Sequence, residues 1–455
     1  AISPQAQRPT DVTIQGYLQR SYLELFEIAP ELNVTASDAK QIEKWLKDAR
    51  KICVGRFEKS EDTADDALKK ARKRLREDTG TLSDEERQSR HCSIEHLRAQ
   101  QERARVLADH AIPLAYDNQL AKLKLLVEWP ADLEEIRASI RAGTYHDREY
   151  GDVQDIGIRG VGEGQEKDVR IGQEAVEQMK QSGVMPDPVD NEIIQTYVQQ
   201  LTERIATHSD LRVPVQVEVL DAPEVNAFAL PGGFLFVQRG LLEAAEDEVQ
   251  LVGVLSHEIA HAAARHGNRM MGRARWSNLF YQAAQIGALV LTGGASSIGT
   301  YYATQYGLMG LGMVLSLDML GVSRDFELEA DQLGVQYAWN AGYDPSGFIR
   351  FFDKMATTKG YVDGTSFFRT HPPFYERMVK AKREIMYLPN KDNPTTHGDG
   401  FLEMKAELAK VLEIAEEEEE HRPSLRDPVA SCGEPEGSSD GASDQPIELL
   451  CASTS

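Results

Sequence analysis

His257, Glu258 and His261 stand together in "LSHEIAHAAARHG", Leu255 to Gly267, among residues that are otherwise small or aliphatic. Two histidines four apart share one helical face, a turn from each other, which is what two imidazoles need to reach one tetrahedral ion. Glu258 beside them can reach a water on that ion, take its proton and pass it to a leaving amine. From Val249 to Ala264 the segment is apolar nearly all round, which predicts a buried helix with Gly267 as its stop. Polar groups inside such a helix need partners. Backbone carbonyls would satisfy them one by one; a zinc ion satisfies all three and explains their spacing. His266, five residues past His261, is too far round the same helix to join that ion and is expected to cap or pack the helix end.

A catalytic zinc takes three protein ligands, so a third should lie downstream. "SRDFELEAD" offers Glu327, Glu329 and Asp331. Glu327 and Asp331 share a helical face, so one can bind the ion while the other orients a ligating histidine. Glu329 lies about 200° round from Glu327 and is predicted to be solvated. Upstream, "NAFALPGGFLFV" reads as a hairpin turning at Leu230-Pro231-Gly232-Gly233. Its edge can pair with an extended substrate backbone, which makes Asn226 and Ala227 candidate substrate contacts. In "RTHPPFYERM" the two prolines hold the chain extended beside His371, and a helix is expected to begin near Phe374.

These motifs, "NAFALPGG", "HEIAH", "SRDFELEAD" and "THPPFYER", occur in an order that resembles the HtpX and CAAX-prenyl-protease group of gluzincin metallopeptidases. The nearer match is the soluble, BepA-like periplasmic branch. The resemblance covers about residues 165 to 390, and a tetratricopeptide region after the catalytic part, carried by BepA-like members, is not evident. It implies a zinc endopeptidase with one Zn2+ per chain held by His257, His261 and Glu327. Glu258 is then the general base, Asp331 supports the ligands, and His371 and Arg377 come to the active site. One of those two is expected to stabilise the oxyanion. The alternative for His371 is the open zinc position, where it would hold the enzyme latent. Extended or unfolded proteins are the implied substrates and a periplasmic or otherwise exported location the implied place. A chaperone or assembly factor with a latent or vestigial site is the competing reading.

The elements that must position these residues follow from the rest of the chain. At 455 residues, more than one domain is the expectation. The reading is α+β and mostly helical, a gluzincin-type domain with a small sheet behind a helical N-terminal domain. Residues 1–157 form the helical domain, 158–164 a glycine-rich linker and 165–392 the protease domain; 393–421 is a C-terminal helix and 422–455 a disordered acidic tail. "NQLAKLKLLVEWPADLEEIRASIRAG" predicts two helices broken at Pro130, the second ending near Gly143. From Lys40 to Arg76, thirteen Lys and Arg face seven acids, read as a solvated helical surface in preference to an anion-binding one.

A formal net charge of -23 argues against a nucleic-acid partner. The two most apolar runs, both between Ile286 and Val322, are too short and too interrupted to be transmembrane spans, which leaves only a peripheral membrane contact open. The stretch from Ala283 to Val322 is either a mobile lid or core packing of small residues. Four cysteines form no Cys-x-x-Cys pair. Cys432 and Cys451 pair in an oxidising compartment or stay as thiols. "RHCSIEH", with His91, Cys92 and His96, reads as a solvated helix face. Ala1 is consistent with a removed signal peptide or a trimmed terminus.

Overall fold

The computed structural model describes residues 14–419 apart from 15, 33, 79–81, 149, 182–184, 271–323, 358–370, 372–374 and 397. The expectations for Ala283 to Val322, Cys432, Cys451 and the acidic tail fall outside the described residues. None of the described helices is long and apolar enough to cross a membrane.

The N-terminal part is helical. After α1 (Tyr22–Leu32), α2 (Ala36–Glu77) opens on a capping box formed by Thr35 and Asp38. α3 (Asp84–Val106) repeats the device with Ser83 and Glu86. Each box satisfies backbone N–H groups that a helix start leaves orphaned. The two helices run antiparallel, tied where Arg90 meets Asp78 at 2.6 Å and Gln101 donates to Asp65 at 3.3 Å. A π-helical turn, Leu107–Ala111, leads into α4 (Ile112–Ala142).

Pro130 does not break α4, contrary to the sequence expectation. The lost backbone bond is outweighed by what the flanking residues bury. Leu125, Leu126 and Ile136 are wholly inaccessible, and buried Trp129 donates its indole N–H to the Phe26 carbonyl at 2.8 Å. The helix ends where expected, on Gly143 at φ 72°. Cys53 in α2 and Cys92 in α3 are each disulfide-bonded, so Cys92 is not the bland helix-face residue its polar neighbours suggest. Local sequence cannot disclose a covalent partner.

Next come α5 (Val169–Gln181) and α6 (Glu192–Ala206), the latter capped by Asn191. Three strands follow: β1 (Gln216–Leu220), β2 (Ala227–Leu230) and β3 (Phe234–Gln238). β3 lies in the middle, parallel to β1 and antiparallel to β2. The turn between β2 and β3 needs left-handed backbone at Gly232 and Gly233, φ 83° and 88°. After α7 (Arg239–Ala244) and α8 (Glu248–Ala263), α9 (His266–Met270) is a short turn of helix. α10 (Arg324–Asn340), α11 (Gly347–Thr357), α12 (Tyr375–Tyr387) and α13 (Asp399–Glu419) complete the described chain.

α8 is the central helix, packed against β2, α10 and α11. Small residues let its neighbours come close. A Cβ on Gly253 would lie 2.2 Å from the Phe348 nitrogen, and one on Gly334 would lie 3.0 Å from the His257 nitrogen. One hydrophobic cluster runs from Leu25 and Trp129 through Leu255 to Phe351, so the N-terminal helices and the later elements share a core. The glycine-rich connector is stitched into it as well. Arg159 contacts Asp210 at 2.6 Å and donates to Gln336 of α10 at 2.6 Å.

Candidate active site

α8 presents His257, Glu258 and His261 on adjoining turns, all buried or nearly so. α10 crosses beside it, bringing Glu327, and His371 enters just before α12. The four potential donor atoms of His257, His261, Glu327 and His371 all lie within 4.8 Å of one another. The His257 and His261 Nε2 atoms are 3.0 Å apart, and His257 Nε2 is 3.2 Å from His371 Nδ1. Glu327 stands 3.1 Å from His371 Nδ1, 3.4 Å from His261 Nε2 and 3.5 Å from His257 Nε2. Glu258 Oε1 lies 3.2 Å from His371 Nε2.

Behind the donors stands a pair that holds them. Asp331 Oδ1 is 3.0 Å from His257 Nδ1. Arg377, fully buried on α12, donates twice to Asp331 at 2.7 Å and reaches Glu327 at 3.1 Å. Its guanidinium is thus committed to two carboxylates.

Charge in the cluster is balanced locally. Burial opposes the ionisation of Glu327, yet the Arg377 guanidinium and then His371 hold it well below the usual carboxylate range. Asp331 is lowered against burial by Arg377 and His257. Glu258 is lowered against burial chiefly by His371. His371 itself is pushed up to about 9 because Glu327 and Glu258 outweigh its desolvation.

The residues fit a zinc ion. Two ring nitrogens facing each other at 3.0 Å cannot both be satisfied by hydrogen bonding unless one carries the proton, whereas both lone pairs can serve one metal. A tetrahedral zinc with bonds near 2.0–2.1 Å sets its ligand atoms roughly 3.3 Å apart. The observed separations bracket that figure. Three buried carboxylates, Glu258, Glu327 and Asp331, crowd the imidazoles, and a divalent cation between them would offset carboxylate charge without requiring protonated histidines. Among the described residues this is the group arranged to hold a metal.

Ala227 begins β2, the edge strand of the sheet, and Asn226 immediately precedes it; both are buried, and the Asn226 carbonyl accepts from the Gln238 N–H at 3.0 Å. The Asn226 side chain accepts from the Ala227 N–H at 3.0 Å. Two expectations for the end of α8 need correction. The helix stops at Ala263 and not at Gly267, because Arg265 takes a left-handed φ of 58°, and Gly267 lies inside α9. Glu329 is not solvated: it is 5% exposed and faces His266 and Arg269. The turn at Arg265 swings α9 over that side of α10, and nothing in local spacing signals a left-handed arginine.

The model of peptidase family M48 matches residues 192–385. A beta-barrel assembly-enhancing protease from Yersinia pestis is 26% identical over 248 residues, 53% of this chain and 48% of that protein. Its Escherichia coli K12 counterpart is 26% identical over 224 residues, 48% of this chain and 43% of that protein. The mitochondrial metalloendopeptidase OMA1 of Schizosaccharomyces pombe is 31% identical over 222 residues, 48% of this chain and 60% of that protein. The chain therefore spans about half the length of the curated relatives it matches. The sheet and all four potential donors, His257 to His371, lie inside the matched range, so residues 192–385 form a peptidase family M48 domain.

Proposed function

We propose that the chain is a zinc-dependent endopeptidase acting on extended or unfolded protein. The observation that carries this reading is the convergence of His257, His261 and Glu327 on one buried point with Glu258 beside it. Zinc, when bound there, supplies the Lewis acidity that activates water and polarises a carbonyl. Glu258 takes the proton of the attacking water and returns it to the leaving nitrogen. Asp331 fixes the tautomer and orientation of His257, and Arg377 holds Asp331 and Glu327 in place. Because Arg377 is committed to those carboxylates, His371 is the oxyanion donor of this reading. The edge of β2, with Asn226 and Ala227 at its start, takes the substrate backbone as an added strand.

A second reading has its own support. His371 Nδ1 stands at ligand distance while its Nε2 faces Glu258, the place an attacking water needs. That arrangement suits a latent resting form, in which the chain serves as a chaperone or assembly factor. For location, disulfides at Cys53 and Cys92 favour an oxidising, exported compartment and a role in quality control of the cell envelope.

Metal analysis with a casein-cleavage assay tests the main reading. The purified chain is expected to hold about one zinc, to lose cleavage on chelation and to regain it with added zinc. Cleavage that survives complete metal removal would contradict it. The two roles of His371 separate on one variant. His371→Ala is expected to cut the cleavage rate by roughly 100-fold or more if the residue supports the oxyanion, and to raise it if the residue holds the enzyme latent.

A further inference from the structure

The reaction above leaves one buried group beside the site without a task. His266 is 1% exposed, and its Nδ1 lies 2.8 Å from Nδ1 of His261. Its Nε2 lies 3.1 Å from Glu329, which also accepts from Arg269 at 2.7 Å. Phe326 stacks on the His266 ring, centroids 4.5 Å apart at 18°, and the Arg269 guanidinium sits over the same phenyl ring at 4.4 Å. Phe326 and Glu329 are three apart on α10, so they share the helical side that α9 covers. Glu327 and Asp331 point from that helix towards the metal donors.

This placement depends on a strained turn. On a continuous helix, five residues carry a side chain about 140° away from its starting face. The left-handed Arg265 cancels that rotation, and non-glycine residues hold such a conformation only where the surroundings enforce it. Here they do. Arg265 donates to both oxygens of Asp168, at 2.6 and 2.7 Å, and Gln165 donates to the Ala263 carbonyl at 3.0 Å, closing the end of α8.

We infer that His266 and Glu329 are positioning residues for His261, a two-member relay that does for this ligand what Asp331 does alone for His257. The tautomers follow from the geometry. His261 turns Nε2 towards the donor cluster, so its Nδ1 carries the proton and donates to His266 Nδ1. His266 then carries its own proton on Nε2, the ring nitrogen that lies 3.1 Å from the Glu329 carboxylate. The relay orients the His261 ring and raises its basicity as a ligand. It rests on the zinc reading above.

The test is zinc affinity of the full chain, measured by competition with a chromogenic chelator, for the wild type, His266→Phe and His266→Gln. Phenylalanine keeps the stack on Phe326 and removes both ring nitrogens, and with them the contacts to His261 and Glu329. Glutamine restores an acceptor towards His261 and a donor towards Glu329. The relay requires His266→Phe to weaken zinc binding about 10- to 100-fold, His266→Gln to recover most of that loss, and the melting temperatures of the metal-free proteins to stay close together. Zinc binding by His266→Phe as tight as wild type would overturn the relay alone. Equal losses in both variants, accompanied by lower metal-free melting temperatures, would also overturn it by making His266 a packing residue. A wild-type chain that binds no zinc would overturn the zinc reading and the relay with it.

Discussion

Arg377 shows how much of the site hangs on one side chain. Its planar guanidinium reaches both Glu327, a ligand in the proposed zinc site, and Asp331, which lies against His257, with no exposed surface. Replacing it by methionine leaves two buried carboxylates facing each other. A loss of about 3–5 kcal/mol in unfolding free energy is expected, measured by chemical denaturation. Arg377→Lys should recover only part of it, since an ammonium cannot bridge both partners in the same fork. Stability within error of wild type for the methionine variant would contradict the bridging role. At this scale the sequence was legible wherever partners sit on regular helix spacing. His257 with His261, and Glu327 with Asp331, are each four apart. It was silent where a partner arrives by a non-helical turn: His266 and Glu329 meet because of Arg265, and no residue type announces φ 58° there.

The elements meet through backbone contacts that glycine alone permits. α8 and α11 touch where a Cβ on Gly253 would lie 2.2 Å from the Phe348 nitrogen, and a Cβ on Gly347 would lie 1.9 Å from the Val249 carbonyl. Phe348 also stacks on the His257 ring, centroids 5.0 Å apart, so this crossing bears on a potential metal donor. Gly253→Ala is expected to cost about 1–3 kcal/mol by overpacking, read as a lower midpoint in thermal or urea unfolding. An unchanged midpoint would mean that the crossing relaxes freely. The β2–β3 hairpin was readable from Leu230-Pro231-Gly232-Gly233 because its turn chemistry is local. The unbroken run of α4 through Pro130 was not, since tertiary burial of Trp129 and its neighbours decides it.

Across the whole molecule, the N-terminal helices are joined to the M48 domain by a buried polar knot as well as by the shared core. Lys122 of α4, wholly buried, lies 3.4 Å from Asp353 of α11, and Asp353 also accepts from the Tyr22 N–H at 2.6 Å. Asp353→Ala should therefore destabilise the intact chain by about 3 kcal/mol, and a denaturation midpoint equal to wild type would contradict that docking. Composition and motifs divide the sequence into regions, but the long-range pairs that bind the regions together lie hundreds of residues apart and leave no local pattern. The proposed activity belongs to this same scale, because the four potential donors come from α8, α10 and the approach to α12. The most direct measurement compares zinc content and casein cleavage of the wild-type chain and Glu258→Gln side by side. The expected result is about one zinc in both, with cleavage lowered by at least roughly 100-fold in the variant. Wild-type cleavage by a zinc-loaded Glu258→Gln chain would contradict the assignment of Glu258 as the base.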